Sequence, residues 1–396
     1  MQQDLGFSGE GRPPFWRDER ILAVLSQVIV VALVAGLLYF LYSNLMAALR
    51  VRFTNPISFD FWGQTAGFDI KEFLIPYDRA SSYGRAFMVG LLNTLIVAIF
   101  GVIFATILGI FIGVLRLSRN FLVNRIAGAY VDFFRNIPLL LLLIFWSQAV
   151  FLKLPRVQEA VILPGPIFLS QRGVAVPWGT PTDSWSLFLY LLLAGLVVAL
   201  LAGVVLRQIS LNTSYKPVIS LWVVGIFLAV AVIGWVVLPA PLTFTAPELA
   251  GFNTRGGRVL SPEFMAILSG LVIYTAAFIA EIVRSGIQAV NKGQREAASA
   301  LGLTSFQTLR LVIFPQALRV IIPPLTSQYL NLTKNSSLAI AVGYPDLFAV
   351  AGNTIRNQTG REIEVFLLVM GVYLSLSLLT SLIMNWYNHR IRLVER

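Results

Sequence analysis

Apolar runs separated by short polar gaps recur along this chain, and each is long enough, at about 20 residues, to cross the hydrocarbon core of a bilayer as a helix. Eight can be drawn: Ile21 to Ser43, Phe87 to Leu115, Ile126 to Leu152, the close pair Leu187 to Leu206 and Val218 to Leu238, Phe264 to about Val290, Gln316 to about Val342, and Val365 to Tyr387. The pattern predicts an all-α integral membrane protein with about eight transmembrane helices. The first run outlasts a secretory h-region and follows a polar stretch holding acids, and Ala47-Ala48 is a poor cleavage signal, so it reads as an uncleaved span.

Composition agrees. Of 396 residues, 57% are hydrophobic and 12% charged, about half the charged fraction of a soluble domain, which excludes a soluble enzyme and a disordered chain. With no cysteine there is no disulfide, thiolate metal site or cysteine nucleophile. The one histidine, His389, lies in a basic tail, so no metal site is expected. The net charge of +11 comes without any run of five basic residues, which argues for membrane topology rather than nucleic acid. Lys and Arg are roughly twice as dense on the side of the termini as on the other. That assigns residues 1–20 and 391–396 to cytoplasmic tails, 21–50 to an N-terminal span and 51–84 to an external loop.

In lipid, small residues let helix backbones approach. Gly101, Ala105, Gly109 and Gly113 repeat every four residues along the second run, a smooth ridge that predicts a partner helix. Asp132 precedes Arg135, and Glu281 precedes Arg284, by three residues, which permits pairing on one helix face. Such pairs near an interface suit structure or gating better than direct substrate contact. The seventh run also holds Arg319 and the double proline Pro323-Pro324, and then reads Thr326, Ser327, Gln328, Asn331, Thr333, Lys334 and Asn335. Proline kinks helices, and polar, irregular backbone at membrane depth persists only where protein or a wet cavity surrounds it. An interrupted helix is therefore expected here, with Gln328, Asn331, Lys334 and Asn335 lining a translocation path. The bland reading, that the helix simply leaves the membrane near Lys334, explains Lys334 to Ser337 but not Thr326 to Asn331.

Between the sixth and seventh runs, Asn291 to Arg310 is too polar for the bilayer and too rich in Ala, Leu and Gln for a slack loop. Gly302 is placed to end one short helix in a left-handed turn, and Thr304 with Gln307 has the spacing of a capping box that starts another. Ala298, Leu301, Phe306 and Leu309 would be free to grip a neighbour or to rest on lipid headgroups.

Glu296-Ala297-Ala298, Gly302 and Val312-Ile-Phe-Pro315 resemble the EAA loop of ATP-binding cassette importer permeases: Glu-Ala-Ala, three residues, Gly, nine residues, Ile-x-Leu-Pro. Only Val312 and Phe314 depart from it. Asn93-Thr94, Asp132 through Pro138, Ala280-Glu281 through Gly286 into Gly293-Gln294, Pro315-Gln316 through Arg319, and Lys334 through Leu338 resemble more narrowly the permeases of polar amino acid uptake, with Asn136-Ile137 where that family has Gly-Thr. The likeness covers about residues 85–390, interrupted at about 153–263 by an insertion carrying two extra helices, as in one subunit of general L-amino acid uptake systems.

The resemblance implies a type I permease fold with extra helices, embedded in the inner-membrane lipid of a bacterium, and no enzymatic activity. It implies a second permease chain or copy, with the added spans favouring a shorter, distinct partner in a heterodimer, two ATPase subunits that bind ATP and Mg while this chain binds no cofactor, an external substrate-binding protein and an amino acid substrate. Gly293, Glu296, Ala297, Ala298, Gly302, Phe306 and Pro315 would couple to the ATPase. Asp60, Asp69, Glu72 and Asp78 in the first external loop suit a basic docking face, and a solvated loop equally well. The rival is a proton- or sodium-coupled secondary transporter, which calls for unpaired acids near the bilayer midplane.

Overall fold

The computed structural model describes residues 19–52, 57–212 and 218–391. Residues 1–18, 53–56, 213–217 and 392–396, which include most of both expected tails and part of the expected external loop, lie outside the described residues. Helix α1 (Glu19–Arg52) is apolar all round and its membrane-length stretch is uncovered by the rest of the chain. After the loop 57–82, α2 (Tyr83–Leu115) starts at the cap Ser82, whose side chain accepts from the Arg85 N–H. Asn120 caps α3 (Phe121–Asn136), accepting from Leu122 and Val123.

The third apolar run is broken, not straight. Ile137 is extended because it precedes Pro138, and α4 (Leu139–Phe145), continued by wider and tighter turns to Lys153, leaves α3 at 105°.

The stretch read above as an insertion carries short strands beside the two helices expected there, within a chain that is otherwise helical. Strands β1 (Val161–Leu163), β2 (Ile167–Ser170), β3 (Gly173–Val176) and β4 (Trp178–Pro181) lead into a helical hairpin of α5 (Trp185–Asn212) and α6 (Ile219–Val237). Its return carries β5 (Leu242–Thr245), β6 (Glu248–Ala250), β7 (Asn253–Arg255) and β8 (Arg258–Leu260). One sheet has the order β1-β2-β3-β8, and β4-β5 and β6-β7 form two-stranded ladders, all antiparallel. The apolar triplets and Gly-Pro turns from Val161 to Val176 are the strand signal in the sequence.

Helix α7 (Pro262–Gln288) has Ser261 as cap and Pro262 in its first turn. Beyond it come α8 (Lys292–Ala300), α9 (Ser305–Thr308), a wide turn Leu309–Ile313, and α10 (Phe314–Asn335). After a tight helical turn Ser336–Val342 and a wide one Phe348–Ile355, α11 (Arg356–Thr359) and α12 (Glu362–Ile391) complete the chain. Among the described residues six helical stretches are long and apolar enough to span a membrane, the bent α3–α4 unit makes a seventh if it counts as one span, and Leu221–Val237 within α6 is a shorter apolar helix. The eight runs thus all fold as helix, but not as eight equivalent straight spans.

The bundle is held by the small-residue ridge. α7 runs parallel to α2: a Cβ on Gly109 would come within 2.6 Å of Ile279 Cβ, and one on Gly113 within 2.7 Å of the Ala280 carbonyl. Gly101 meets Leu332 of α10 instead, at 3.0 Å, and Ala105 is fully buried beside Ile279 and Leu332. α10 crosses between α7 and α12. The Tyr83 end carries the loop 57–82 and the sheets, and the Leu115 end carries α8 and α9.

Candidate functional site

At the Leu115 end, the polar segment between α7 and α10 folds as two short helices about a glycine. Asn291 caps α8 by accepting from the Gly293 N–H at 2.9 Å. At its other end the Leu303 N–H reaches the Ala298 carbonyl (3.1 Å) and the Gly302 N–H reaches that of Ser299 (3.0 Å), with Gly302 at φ 75°. These two bonds form a Schellman motif, whose left-handed residue is best a glycine. Thr304 and Gln307 then exchange both bonds of a capping box, at 3.3 and 2.9 Å. The Arg295 guanidinium donates to the Ile287 carbonyl at the end of α7, and the Gln316 amide meets Gln294 at 3.3 Å. The unit is therefore tied to both helices it joins.

Gly293, Glu296, Ala297, Gly302 and Pro315 are exposed, and the apolar tips Leu301 and Phe306 are 81% and 69% exposed. Ala298 is not available to a neighbour. At 2% exposure it points inward, where α8 packs on the turn Leu309–Ile313. That turn closes with the Phe314 N–H reaching back five residues to Leu309, and a proline follows at once. Pro315 brings no N–H to continue the ladder, and its ring opposes the carbonyl four residues earlier, so the wide turn belongs where helix geometry is locally loosened.

Only one of the two expected charge pairs forms. Arg284 holds Glu281 through Nε at 3.2 Å and a second nitrogen at 2.5 Å, and reaches Gln288 at 2.7 Å. Arg116, at the end of α2, pairs with the same carboxylate. It was invisible to the i, i+3 reading because it comes from another helix. Asp132 and Arg135 are both exposed and unpaired with each other; Arg135 lies over the Phe278 ring at 5.3 Å instead. A ring face near the charge and open surroundings for the acid remove the need for a pair.

The residues expected to line a path stand on a continuous helix. Pro323 and Pro324 both lie on the exposed side of α10, so the backbone bonds they cannot make leave no buried gap there, and α10 runs through them to Asn335. The expected interruption falls later, at Ser336, where the helix tightens. The hydroxyls of Thr326, Thr333, Ser336 and Ser337 bond back to carbonyls three or four residues earlier, which spends them on the helix itself. Gln328 and Asn335 are half-buried, Asn331 and Lys334 are exposed, and among the described residues none of these four side chains has a hydrogen-bond partner. Ser327, Asn331 and Lys334 recur at helical spacing on a side that α2, α7 and α12 leave open.

A polar knot near the Tyr83 end was not foreseen. The Asn93 amide donates to the carbonyls of Glu72 and Pro345, both at 2.9 Å, and the Thr94 hydroxyl accepts from the Leu347 N–H. Asp346, fully buried, accepts from the Ala349 N–H (2.8 Å) and the Tyr373 hydroxyl (3.1 Å). Flanked by apolar residues between two spans, it carried no helical-spacing signal. Glu72 is likewise no docking acid: it accepts from the Ser261 N–H at 3.1 Å, and burial pushes its carboxyl up despite that bond and the nearby Arg258. Asp69 is held by Arg79 at 2.7 Å. Asp60 and Asp78 remain as exposed loop acids. Among the described residues no group of three or more His, Cys, Asp or Glu side chains could hold a metal.

A polytopic helix bundle with an unfilled polar face and a pinned, exposed two-helix appendage is the architecture of a transport permease. The model for binding-protein-dependent transport system inner membrane components matches residues 192–393. The chain is 44% identical over 384 residues to the general L-amino acid transport system permease protein AapQ of Rhizobium johnstonii, covering 96% of this chain and 94% of that one. It is 44% identical to the putative amino-acid ABC transporter permease protein YhdX of Escherichia coli, over 95% of both chains. With the glutamate/glutamine/aspartate/asparagine transport system permease protein BztB of Rhodobacter capsulatus it shares 40% identity over 96% of each. The chain belongs to the family of binding-protein-dependent transport system inner membrane components.

Proposed function

We propose that this chain is the permease subunit of an ATP-binding cassette importer that carries polar, or a broad range of, L-amino acids across the cytoplasmic membrane of a bacterium. The carrying observation is the α8–Gly302–α9 unit, which presents Leu301 and Phe306 bare while being anchored to α7 and α10. Two exposed apolar side chains on a polar, capped element at the Leu115 end suit a groove on a separate ATPase. The basic excess of the loops at that end supports a cytoplasmic position for it and for both termini. Movement of the ATPase would then shift α7 and α10 together, and each site biases the same element.

The open side of α10 supports a second, distinct permease chain opposite it. Ser327, Asn331 and Lys334 cannot face lipid at low cost, and between two such chains they line a wet path. Gln328, Asn331 and Asn335 with Lys334 offer a cation for a carboxylate and acceptors for an ammonium, without selecting an acidic or basic side chain. That fits the range named for the relatives above. An external binding protein delivers the substrate at the Tyr83 end.

An ion-coupled carrier would need a free buried acid, and Asp346, the one acid among the described residues fully buried without a cation beside it, has both oxygens engaged, in capping and in the Tyr373 bond. Purification of this chain from its native membrane is expected to bring down a stoichiometric ATPase, and uptake in proteoliposomes should require that ATPase and ATP. Uptake by this chain alone, driven by a proton or sodium gradient, overturns the reading. Within it, Gln328→Leu with Asn331→Leu is expected to cut uptake roughly tenfold or more while ATPase binding persists, since two polar partners of a zwitterion are lost; unchanged uptake removes these residues from the path.

A further inference from the structure

A cavity of about 460 Å³ opens between the outward side of α2, the start of α7 and the inserted sheets. Its floor is apolar, formed by Ile96, Phe100 and Phe104 on α2 with Phe264 and Leu268 on α7. Its lip is different: Lys71 from the loop 57–82, and Arg258 from β8 stacked over the Trp178 ring at 4.9 Å. Among the described residues neither cation is in an ion pair. Glu72 at the same lip is engaged by the Ser261 N–H.

We propose that this cavity is a binding site for a membrane phospholipid, with the phosphate between Lys71 and Arg258 and one acyl chain lying along Phe100, Phe104 and Leu268. Three features select that occupant. From Ile96 to Phe104 the floor runs about 12 Å at 1.5 Å per residue, close to half of the roughly 30 Å hydrocarbon core, so it matches the depth of one leaflet. An arginine, a lysine and a tryptophan at the lip are the residues that favour the headgroup level, and basic pockets between helices hold lipid phosphates. The floor lacks polar groups for a soluble zwitterion, and Asn93, the amide nearest it, is already spent on two carbonyls.

The insertion supplies Trp178 and Arg258 while the permease core supplies the floor, so the lipid would join the two. Native mass spectrometry of the intact complex in mild detergent is expected to show one retained phospholipid per copy of this chain. Lys71→Gln with Arg258→Gln, and separately Leu268→Trp, should each lower that occupancy roughly tenfold, as the loss of one charge-assisted contact pair or of the tail's space would. Wild-type complex stripped of lipid and titrated with phosphatidylglycerol is expected to gain thermal stability saturably, and not with inorganic phosphate. Absence of retained lipid on the wild type, equal retention in both variants, or an amino acid found in the cavity instead overturns the proposal.

Discussion

Gly302→Val is expected to abolish uptake while leaving the protein inserted and thermally stable. Gly302 stands at φ 75°, and a Cβ there would meet nothing within 4 Å, so the substitution clashes with no neighbour and acts through the backbone alone. A left-handed conformation costs an ordinary residue about 1–2 kcal/mol, and a β-branched one is the least tolerant. That is enough to open the Schellman bonds to Ala298 and Ser299 and to swing Leu301 away from Phe306. Uptake should fall roughly tenfold or more, and the ATPase should no longer co-purify. Gly302→Asn, which tolerates the same φ, should restore both. Normal transport by a stably inserted Gly302→Val variant sinks the coupling role.

Gly109→Leu should do the reverse, destroying the bundle and transport with it. The new side chain would have to enter where even a Cβ lies 2.6 Å from Ile279 and 3.0 Å from the Ala276 carbonyl. Overpacking of this kind costs about 1–3 kcal/mol in cores that can adjust. Here backbone faces backbone across α2 and α7, and the helices must part. Because lipid gives apolar helices no hydrophobic reason to associate, close packing is what holds them. The variant should aggregate or unfold well below the wild type in a detergent thermal scan. Gly36→Leu on α1, where a Cβ meets open space, should be silent. Equal melting of the Gly109 and Gly36 variants would contradict the crossing.

Features carried by local pattern were legible in the sequence. The cap and turn chemistry around Gly302 and Thr304, the ridge of Gly101 to Gly113 and the Glu281–Arg284 pair each depend on residues within a few positions, and the structure has all of them. What was hidden depends on contacts from afar. Arg116 reaches Glu281 from another helix, Glu72 is consumed by Ser261, and Asp346 gains its partners from the segment after it and from α12. Two local rules also competed and the less obvious one won: Pro138 broke a run that hydropathy drew straight, while Pro323 and Pro324 were absorbed by a helix that composition drew as broken. Short strands of three or four residues between long apolar runs give hydropathy little to register.

Val176 and Arg258 are partners on one ladder. Everything between them, two strands of one ribbon, the helical hairpin and a second ribbon, leaves the core and returns to it through neighbouring points. A tight turn from Val176 to Arg258 could replace the whole excursion without moving Phe264 or Ala266, which seat α7. The excursion is therefore joined to the core at a single rung of one ladder, so its length is set independently of the spacing between β3 and β8.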